Sequence, residues 1–270
     1  MSKEEANVRE ATEGCLDFWC KNEKASKGAV CVHDACSVLS LFGALPESTK
    51  GSDFKFKLEN AVSHRIFSVT ILPVGEENAA AVRVSIGTAI QGWLVLLQYR
   101  NIWTCISAAF SSNTHDPILP EHFDAVNKLT WDGYCRANET CDDERMAQVF
   151  HRSCRLTFAS ESMGVVVVDQ PAFLKKVARR YEDEAMHQPY AELKHHPKLG
   201  SNNTLQSIEF ATNDLCMVTL KVGHPPCLWT DLLTCCNLGK DQDQVGWWIV
   251  HKSSCHEPFP LTDDMKALLE

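Results

Sequence analysis

The sequence lacks any apolar run that could cross a membrane, because no segment approaches the roughly 18 uninterrupted apolar residues that a membrane-spanning helix requires. It also has little positive charge: 26 Lys and Arg against 35 Asp and Glu give a formal net charge of −9, which disfavours binding to a phosphate backbone. The N-terminal stretch MSKEEANVREATEG is too charged for a secretory signal peptide. We therefore expect a cytoplasmic protein with no nucleic-acid partner and no membrane partner.

The motifs of the most easily recognised enzyme classes are absent as well. The chain has no G-x-G-x-x-G, no Walker loop, no G-x-S-x-G and no H-E-x-x-H, which disfavours nucleotide-binding enzymes, α/β-hydrolases and zinc proteases. It has 13 cysteines but no C-x-x-C pair, and several lie in apolar runs such as LLTCCNL. This distribution is typical of reduced, buried thiols. We expect no metal ion and no cofactor.

What the sequence does contain is an internal repeat. NAAAVRVSIG at 78–87 aligns with DLCMVTLKVG at 214–223, and WLVLLQY at 93–99 aligns with WTDLLTC at 229–235, both at an offset of 136 residues. Two further motif pairs stand in the same order in both halves: DFWCKN with DGYCRAN, and VHDACSVLS with FHRSCRLTF. Self-similarity at one long period indicates a tandem duplication of one structural unit.

Both copies are predicted to begin with helices. The first helix is expected at about 4–22 in one copy and 121–138 in the other, because apolar residues recur there at helical spacing. A second, shorter helix is predicted to end near His33 in the first copy and near His151 in the second. A histidine in that position can interact with the last carbonyl groups of a helix.

Strands follow the helices. In the second copy, VVVV at 165–168 indicates a short strand, and Asp169 is a candidate N-cap for a third helix. Four further strands are predicted near 205–211, 215–222, 228–236 and 246–255. Helices followed by strands indicate an α+β domain with an antiparallel sheet. The last strand of each copy is largely apolar on both faces, so we expect helices to cover one face of each sheet and the sibling repeat to cover the other.

This order of elements, together with the motifs WTDLLTCC, GWWIVHKSSCH and VFHRSCRL, resembles the nuclear transport factor two-like superfamily. The resemblance is to its lumazine-binding-like and SnoaL-like branches. It implies that each repeat is a cone, in which a curved sheet wraps around about three helices and leaves a pocket at the open end. Members include isomerases, dehydratases and polyketide cyclases as well as non-catalytic carriers, so the fold by itself does not give the function.

The repeat and the resemblance together predict an α+β fold class with two tandem cone-shaped domains. Their sheets are expected to pack together as a pseudo-dimer within the chain. The predicted boundaries are 1–112 for the first cone-like repeat, 113–122 for a linker, 123–258 for the second repeat and 259–270 for a C-terminal tail with a short helix.

Polar residues at the expected pocket positions are concentrated in the second repeat. Its candidate catalytic residues are Tyr134, Asp231 and His251, where the aligned residues of the first repeat are Trp19, Val95 and Ile106. Its candidate ligand-binding residues are His151, Trp229 and Phe158. The aromatic residues of this set also have a structural interpretation as core. Resemblance to ketosteroid isomerase-like members implies a carboxylate base at or near Phe158, so the phenylalanine disfavours steroid-type isomerisation.

Two registers of the last two strands remain open. The first copy leaves room for only a tight turn, which would place Val95 opposite Ile106. Transferred through the alignment, this register places Asp231 opposite His251, where a carboxylate could orient an imidazole for general acid/base catalysis. The alternative register, centred on the longer loop of the second copy, pairs Asp231 with Lys252 as an ordinary ion pair. We favour the first register, because a tight turn constrains pairing more strongly than a long loop.

The sequence therefore supports two functions. The first is a small-molecule-binding protein, non-catalytic or of unknown activity, with its ligand pocket in the second repeat. The alternative is a cofactor-independent lyase, isomerase, dehydratase or cyclase that uses the Asp231–His251 pair on a small apolar substrate. The expected partners are that small apolar molecule and, within the chain, the sibling repeat, while association into higher oligomers stays open.

The predicted linker gives a test of the domain boundaries. Residues 111–122 are polar and contain two prolines, which is typical of an exposed connection between domains. Brief proteolysis should therefore cut the chain there before it cuts either sheet, and the two fragments should stay associated in size-exclusion chromatography. Early cleavage within 79–110, mapped by mass spectrometry, would contradict the boundary.

Overall fold

The computed structural model describes residues 1–21, 32–41, 47–50, 53, 63–74, 77–99, 101–112, 117–160, 164–179, 203–224, 227–239 and 246–267. The predicted second helix of the first repeat lies outside these residues, as do residues 113–116 of the predicted linker. No helix within the described residues combines the length and the apolar character needed to cross a membrane.

The first half of the chain contains one described helix and six strands. They are α1 (Lys3–Lys21), β1 (Val32–Leu41), β2 (Glu47–Lys50), β3 (His64–Val74), β4 (Glu77–Ile86), β5 (Ile90–Tyr99) and β6 (Ile102–Ser111). Helix α1 has the predicted bounds to within one residue. Its apolar residues Val8, Cys15 and Trp19, on whose helical spacing the prediction rests, share one buried face.

The second half repeats this order with additional described helices. They are α2 (Pro120–Lys128), a π-helical segment (Leu129–Cys135), α3 (Arg136–Thr140), α4 (Asp143–Ala147), β7 (Phe150–Ser160), β8 (Gly164–Asp169), α5 (Gln170–Ala178), β9 (Thr204–Thr212), β10 (Leu215–His224), β11 (Cys227–Leu238), β12 (Gly246–Pro258) and α6 (Asp263–Ala267). Asp169 caps α5 as predicted, since its Oδ1 accepts a 2.9 Å hydrogen bond from the Ala172 amide.

The two histidines predicted at helix ends lie in strands. His33 belongs to β1 and His151 to β7, whereas α4 ends at Ala147. Strand pairing explains the difference, because β7 begins at Phe150 in order to pair with Ile249 of β12.

The two sheets have the same strand order, β2-β1-β6-β5-β4-β3 and β8-β7-β12-β11-β10-β9. This identity confirms the duplication and the two-domain α+β fold. Both sheets are mixed, so the prediction of antiparallel sheets is wrong in this respect. Strand β1 runs parallel to β6, and β7 runs parallel to β12. The remaining neighbours are antiparallel.

Each sheet is buried on both faces. On one face, helix α1 packs on the first sheet, and α2 to α5 pack on the second. The opposite faces meet in a third apolar cluster, in which Trp93 and Ile106 of the first repeat are buried together with Leu232 and Val250 of the second. The repeats therefore form the expected pseudo-dimer within one chain.

Bulges occur at matching positions in the two repeats and change the predicted registers. Val95 lies opposite Ser107 and not opposite Ile106, because Ile106 is an extra residue in β6. Val250 is the matching extra residue in β12. A single extra residue moves every following side chain of the strand to the other face.

The alignment of β5 with β11 also shifts. Met217 pairs with Thr234, whereas its counterpart Ala81 pairs with Val95. Thr234, and not Asp231, is therefore the structural counterpart of Val95. The shift arises because the β10–β11 hairpin continues for two further residue pairs before its turn.

Candidate functional site

Four polar side chains meet inside the second repeat. The Tyr134 hydroxyl donates a 2.6 Å hydrogen bond to Asp231 Oδ2, and the Ser254 hydroxyl donates one of 2.6 Å to Asp231 Oδ1. Lys252 Nζ donates to both Asp231 Oδ1 and Ser254 Oγ. All four residues are buried. We call them the buried polar cluster.

The strands supply three members of the cluster. Asp231 of β11 lies opposite Ser254 of β12, and Lys252 is two residues before Ser254 on the same face. That face carries Leu233 and Cys235, which belong to the apolar core between the second sheet and its helices. The cluster therefore lies inside the second cone and not between the repeats.

Tyr134 comes from the π-helical segment that joins α2 to α3. The wider turn of a π-helix is often found at functional positions. The segment lies close to the residues before β7, because a Cβ at Gly133 would be only 2.3 Å from Val149 Cγ1. This close approach helps to hold the Tyr134 ring against Phe150, at 5.7 Å between centroids in an edge-to-face arrangement.

The structure contradicts both registers considered for Asp231. Its partner across the strands is Ser254, neither His251 nor Lys252. The bulge at Val250 turns His251 toward the first repeat and Lys252 into the cone. Lys252 nevertheless reaches the Asp231 carboxylate along the same face and forms a buried ion pair with it.

His251 is part of the contact between the repeats. Its Nε2 shares a 2.8 Å hydrogen bond with Ser37 Oγ of the first repeat, and its buried Nδ1 has no hydrogen-bond partner among the described residues. Burial lowers the pKa of His251 to about 4, and the charge of Arg155 adds to the effect. The imidazole is therefore neutral at pH 7. It lies outside the cone, so it does not form the predicted catalytic pair with Asp231.

His151 is also separate from the buried polar cluster. Its Nδ1 shares a 2.7 Å hydrogen bond with Ser153 Oγ, and its ring lies 6.4 Å from the ring of Trp248. Trp248 packs against the apolar cluster between the repeats. Burial, followed by the charge of Arg152, lowers the pKa of His151.

Trp229 and Phe158, the other two predicted ligand-binding residues, do lie together. Their ring centroids are 6.4 Å apart in an edge-to-face arrangement, and the His256 ring lies 4.7 Å from that of Trp229. Trp229 and Phe158 are half-buried, and His256 is exposed. Trp229 precedes Asp231 by two residues and His256 follows Ser254 by two, so these rings adjoin the buried polar cluster on the same face. We call them the aromatic rim.

The first repeat offers an internal comparison for the cluster. Gly92 takes the position of Asp231, Ala108 that of Lys252, and Phe110 that of Ser254. Trp19 aligns with Tyr134. A Cβ at Gly92 would lie 2.3 Å from Phe110 Cδ1, so the phenyl ring occupies the space beside this glycine. The Trp19 ring meets Phe110 edge to face at 5.9 Å. The first cone is therefore filled by apolar rings where the second has charges.

The chemistry of the cluster is that of proton donors around one carboxylate. Asp231 accepts from a phenol, a hydroxyl and an ammonium group in a site shielded from water, and such groups can bind or protonate an oxygen atom of a ligand. Burial, followed by the charge of Asp231, raises the pKa of the neighbouring Cys135 to about 12, so this thiol stays protonated and is not a nucleophile. Within the described residues, no group of three or more His, Cys, Asp or Glu side chains could hold a metal ion.

Comparisons with known proteins give structural neighbours only. Neither a protein-family model nor a curated protein matches the chain. An NTF-2 like protein of unknown function from Silicibacter pomeroyi is 15% identical with a TM-score of 0.39, and the match covers 51% of this chain and 97% of that one. An NTF2-like protein of unknown function from Shewanella baltica is 10% identical with a TM-score of 0.41, covering 53% and 99%. A ketosteroid isomerase-like protein from Erwinia carotovora atroseptica is 8% identical with a TM-score of 0.36, covering 51% and 98%.

The placement of His251 predicts a pH-dependent stability. Because the pKa of His251 is about 4 in the fold against 6.5 for an unperturbed histidine, the unfolded chain takes up the proton first as the pH falls. The contribution of His251 is complete above pH 6.5 and is lost between about pH 6.5 and 4, up to roughly 3 kcal/mol in total. Urea unfolding of the wild type should show this loss, and His251→Gln should show a flatter pH dependence. His256→Gln, at an exposed histidine, should follow the wild type; equal slopes for all three proteins would contradict the assignment.

Proposed function

We propose that the second repeat binds a small, largely apolar molecule in its cone. The polar group of the ligand lies at the buried polar cluster and its apolar body lies against the aromatic rim. The observation that carries this proposal is the contrast between the repeats. At the same positions of the same fold, one cone has Asp231, Lys252 and Ser254 and the other has Gly92, Ala108 and Phe110.

The energetic argument concerns the ion pair. Removing a carboxylate and an ammonium group from water carries a large desolvation cost, and well-packed apolar residues in place of a buried pair are often neutral or stabilising. The first repeat demonstrates an apolar solution at these positions, in which Phe110 is fully buried. Folding alone therefore does not require the charged residues of the second cone, which supports a binding role for them.

The chemistry of the ligand follows from the groups around the site. Tyr134, Lys252 and Ser254 carry donors, which suit a carbonyl or hydroxyl oxygen. The half-buried rings of Trp229 and Phe158 suit a flat apolar body. A neutral ketone or alcohol with one or two rings combines these features.

A graft of first-repeat residues tests binding. The triple variant Asp231→Gly/Lys252→Ala/Ser254→Phe should place a phenyl ring in the second cone, as Phe110 does in the first, and should still unfold cooperatively. We expect 2-naphthol or 2-tetralone to raise the Tm of the wild type and quench its tryptophan fluorescence, with at least about tenfold weaker binding to the graft.

The matched control is His251→Ser, which introduces the residue of the first repeat at a position between the sheets. It should bind the same compounds with wild-type affinity. Equal binding by the wild type and the graft, or no binding of either compound by the wild type, would contradict the proposal.

A second candidate function is acid/base catalysis without a cofactor. It is favoured by the short contact of the Tyr134 hydroxyl with Asp231 and by the Lys252 ammonium group beside them, all three of which are buried. Asp231 would remove a proton next to the carbonyl of a bound ketone, and the Tyr134 hydroxyl would turn from Asp231 to donate its hydrogen bond to the developing enolate oxygen. The Asp231–His251 pair has no part in this candidate, because His251 faces the first repeat.

Tyr134→Phe separates the two functions. A catalytic protein should accelerate the incorporation of deuterium from D2O next to the carbonyl of 2-tetralone, followed by NMR, and the variant should lose about 10²-fold or more of this rate while still binding the ketone. A wild type that binds without accelerating exchange would be a carrier for this ligand class.

A further inference from the structure

A cavity of about 350 Å³ lies on the first repeat, away from the buried polar cluster. Its lining includes Ser63, His64, Arg65, Phe67, Ser85 and Gln91. The volume is within the range of small-molecule sites. All of the described lining residues are neutral or basic, although the chain as a whole has nine more acidic than basic residues.

A bulge in the edge strand β3 shapes this cavity. The register shifts between Ile66 and Ser68, which makes Phe67 an extra residue, and its side chain is 46% exposed. Bulges of this kind redirect a side chain and are frequent beside functional sites. Here the bulge presents a large aromatic ring to solvent in a wall of polar residues.

Two guanidinium groups lie against this one ring. The Arg65 guanidinium carbon is 5.1 Å from the Phe67 ring centroid, and that of Arg83 is 5.6 Å from it. Cations are attracted to the electron-rich face of an aromatic ring, but the ring does not neutralise their charge.

The charge of the two guanidinium groups is not balanced by a bonded carboxylate of the described residues, although His64 of the lining has its Nδ1 3.9 Å from Asp17 Oδ1. Within the described part of the chain, neither Arg65 nor Arg83 forms an ion pair. Arg83 donates instead to Gln91 Oε1 at 2.8 Å and to the Ala211 carbonyl of the second repeat at 3.3 Å, and no described residue accepts from its buried Nε. Burial lowers the pKa of Arg83, and the charge of Glu209 opposes this effect from a distance.

We propose that this cavity binds a small aryl carboxylate. The carboxylate is held at the guanidinium group of Arg65, with the hydroxyl groups of Ser63 and Ser85 within the same lining, and the ring of the ligand covers the exposed part of Phe67. An arginine fork matches the two oxygens of a carboxylate, and the aromatic contact adds selectivity for a flat body. The site is independent of the proposed ligand site in the second cone.

Benzoate is the probe for this proposal, and acetate and benzyl alcohol are the control compounds. Isothermal titration calorimetry with the full chain at low salt should detect benzoate. Acetate, which lacks the ring, and benzyl alcohol, which lacks the charge, should each bind at least about tenfold more weakly. Added NaCl should weaken benzoate binding, since the attraction is between an exposed cation and an anion.

Four variants locate the binding. Arg65→Gln should weaken benzoate at least about tenfold, whereas Arg136→Gln, which makes the same change of charge at an exposed residue of α3, should not. Phe67→Leu should weaken benzoate and leave the weak binding of acetate unchanged. The triple graft in the second cone should bind benzoate like the wild type, which separates this site from the other one.

Three results would overturn the proposal. The first is the absence of benzoate binding by the wild type at low salt. The second is an equal effect of Arg65→Gln and Arg136→Gln, which would indicate a general charge effect. The third is equal affinity for benzyl alcohol and benzoate, which would indicate an apolar contact without recognition of the anion.

Discussion

The apolar contact between the two sheets is the constraint on which the remaining structure depends. A six-stranded sheet with helices on one side leaves its second face open to water, and here that face carries residues such as Trp93 and Leu232. Covering it requires another sheet of similar shape, which the duplication supplies within the same chain. Because both faces of each sheet are then buried, the strands cannot follow a simple alternation of apolar and polar residues. Polar residues inside either cone must therefore find partners there.

The bulge at Val250 determines what the second cone contains. It places two consecutive residues, Val250 and His251, on the side of the sibling repeat, so that Lys252 and Ser254 enter the cone beside Asp231. The carboxylate thereby gains two hydrogen-bond donors from β12, and the phenol of Tyr134 is its third donor. One extra residue thus decides whether an imidazole or an ammonium group meets the carboxylate. The matching bulge at Ile106 in the first repeat has no such consequence, because the residues that follow it into the cone are apolar.

The fold was largely predictable from the sequence, and the site only in part. Helical spacing located α1 and the helical run from α2 to α3, and motif order revealed the duplication. Apolar residues on both faces of the last strands predicted the packing of sheet on sheet.

The registers of the strand pairs were not predictable, because Val250 and Ile106 resemble their neighbours in apolar character and nothing in the sequence marks them as extra residues. The sequence predicts Tyr134 and Asp231 as pocket residues, and the two do contact each other. It does not predict Ser254, and it offers Lys252 only as the partner of Asp231 in an ordinary ion pair. A lysine within an otherwise apolar strand was the available signal for it.

The hydrogen bond between His251 and Ser37 also bears on which surfaces can associate. Ser37 lies opposite Ser107 in the first sheet, and at the matching place in the second sheet Arg155 lies opposite His251. If the second repeats of two separate chains were to associate through this face, each buried imidazole would meet an arginine in place of a hydroxyl. Removing that guanidinium from water beside a neutral ring, which carries no counter-charge, is unfavourable. The duplicated halves therefore differ at this contact and are no longer interchangeable.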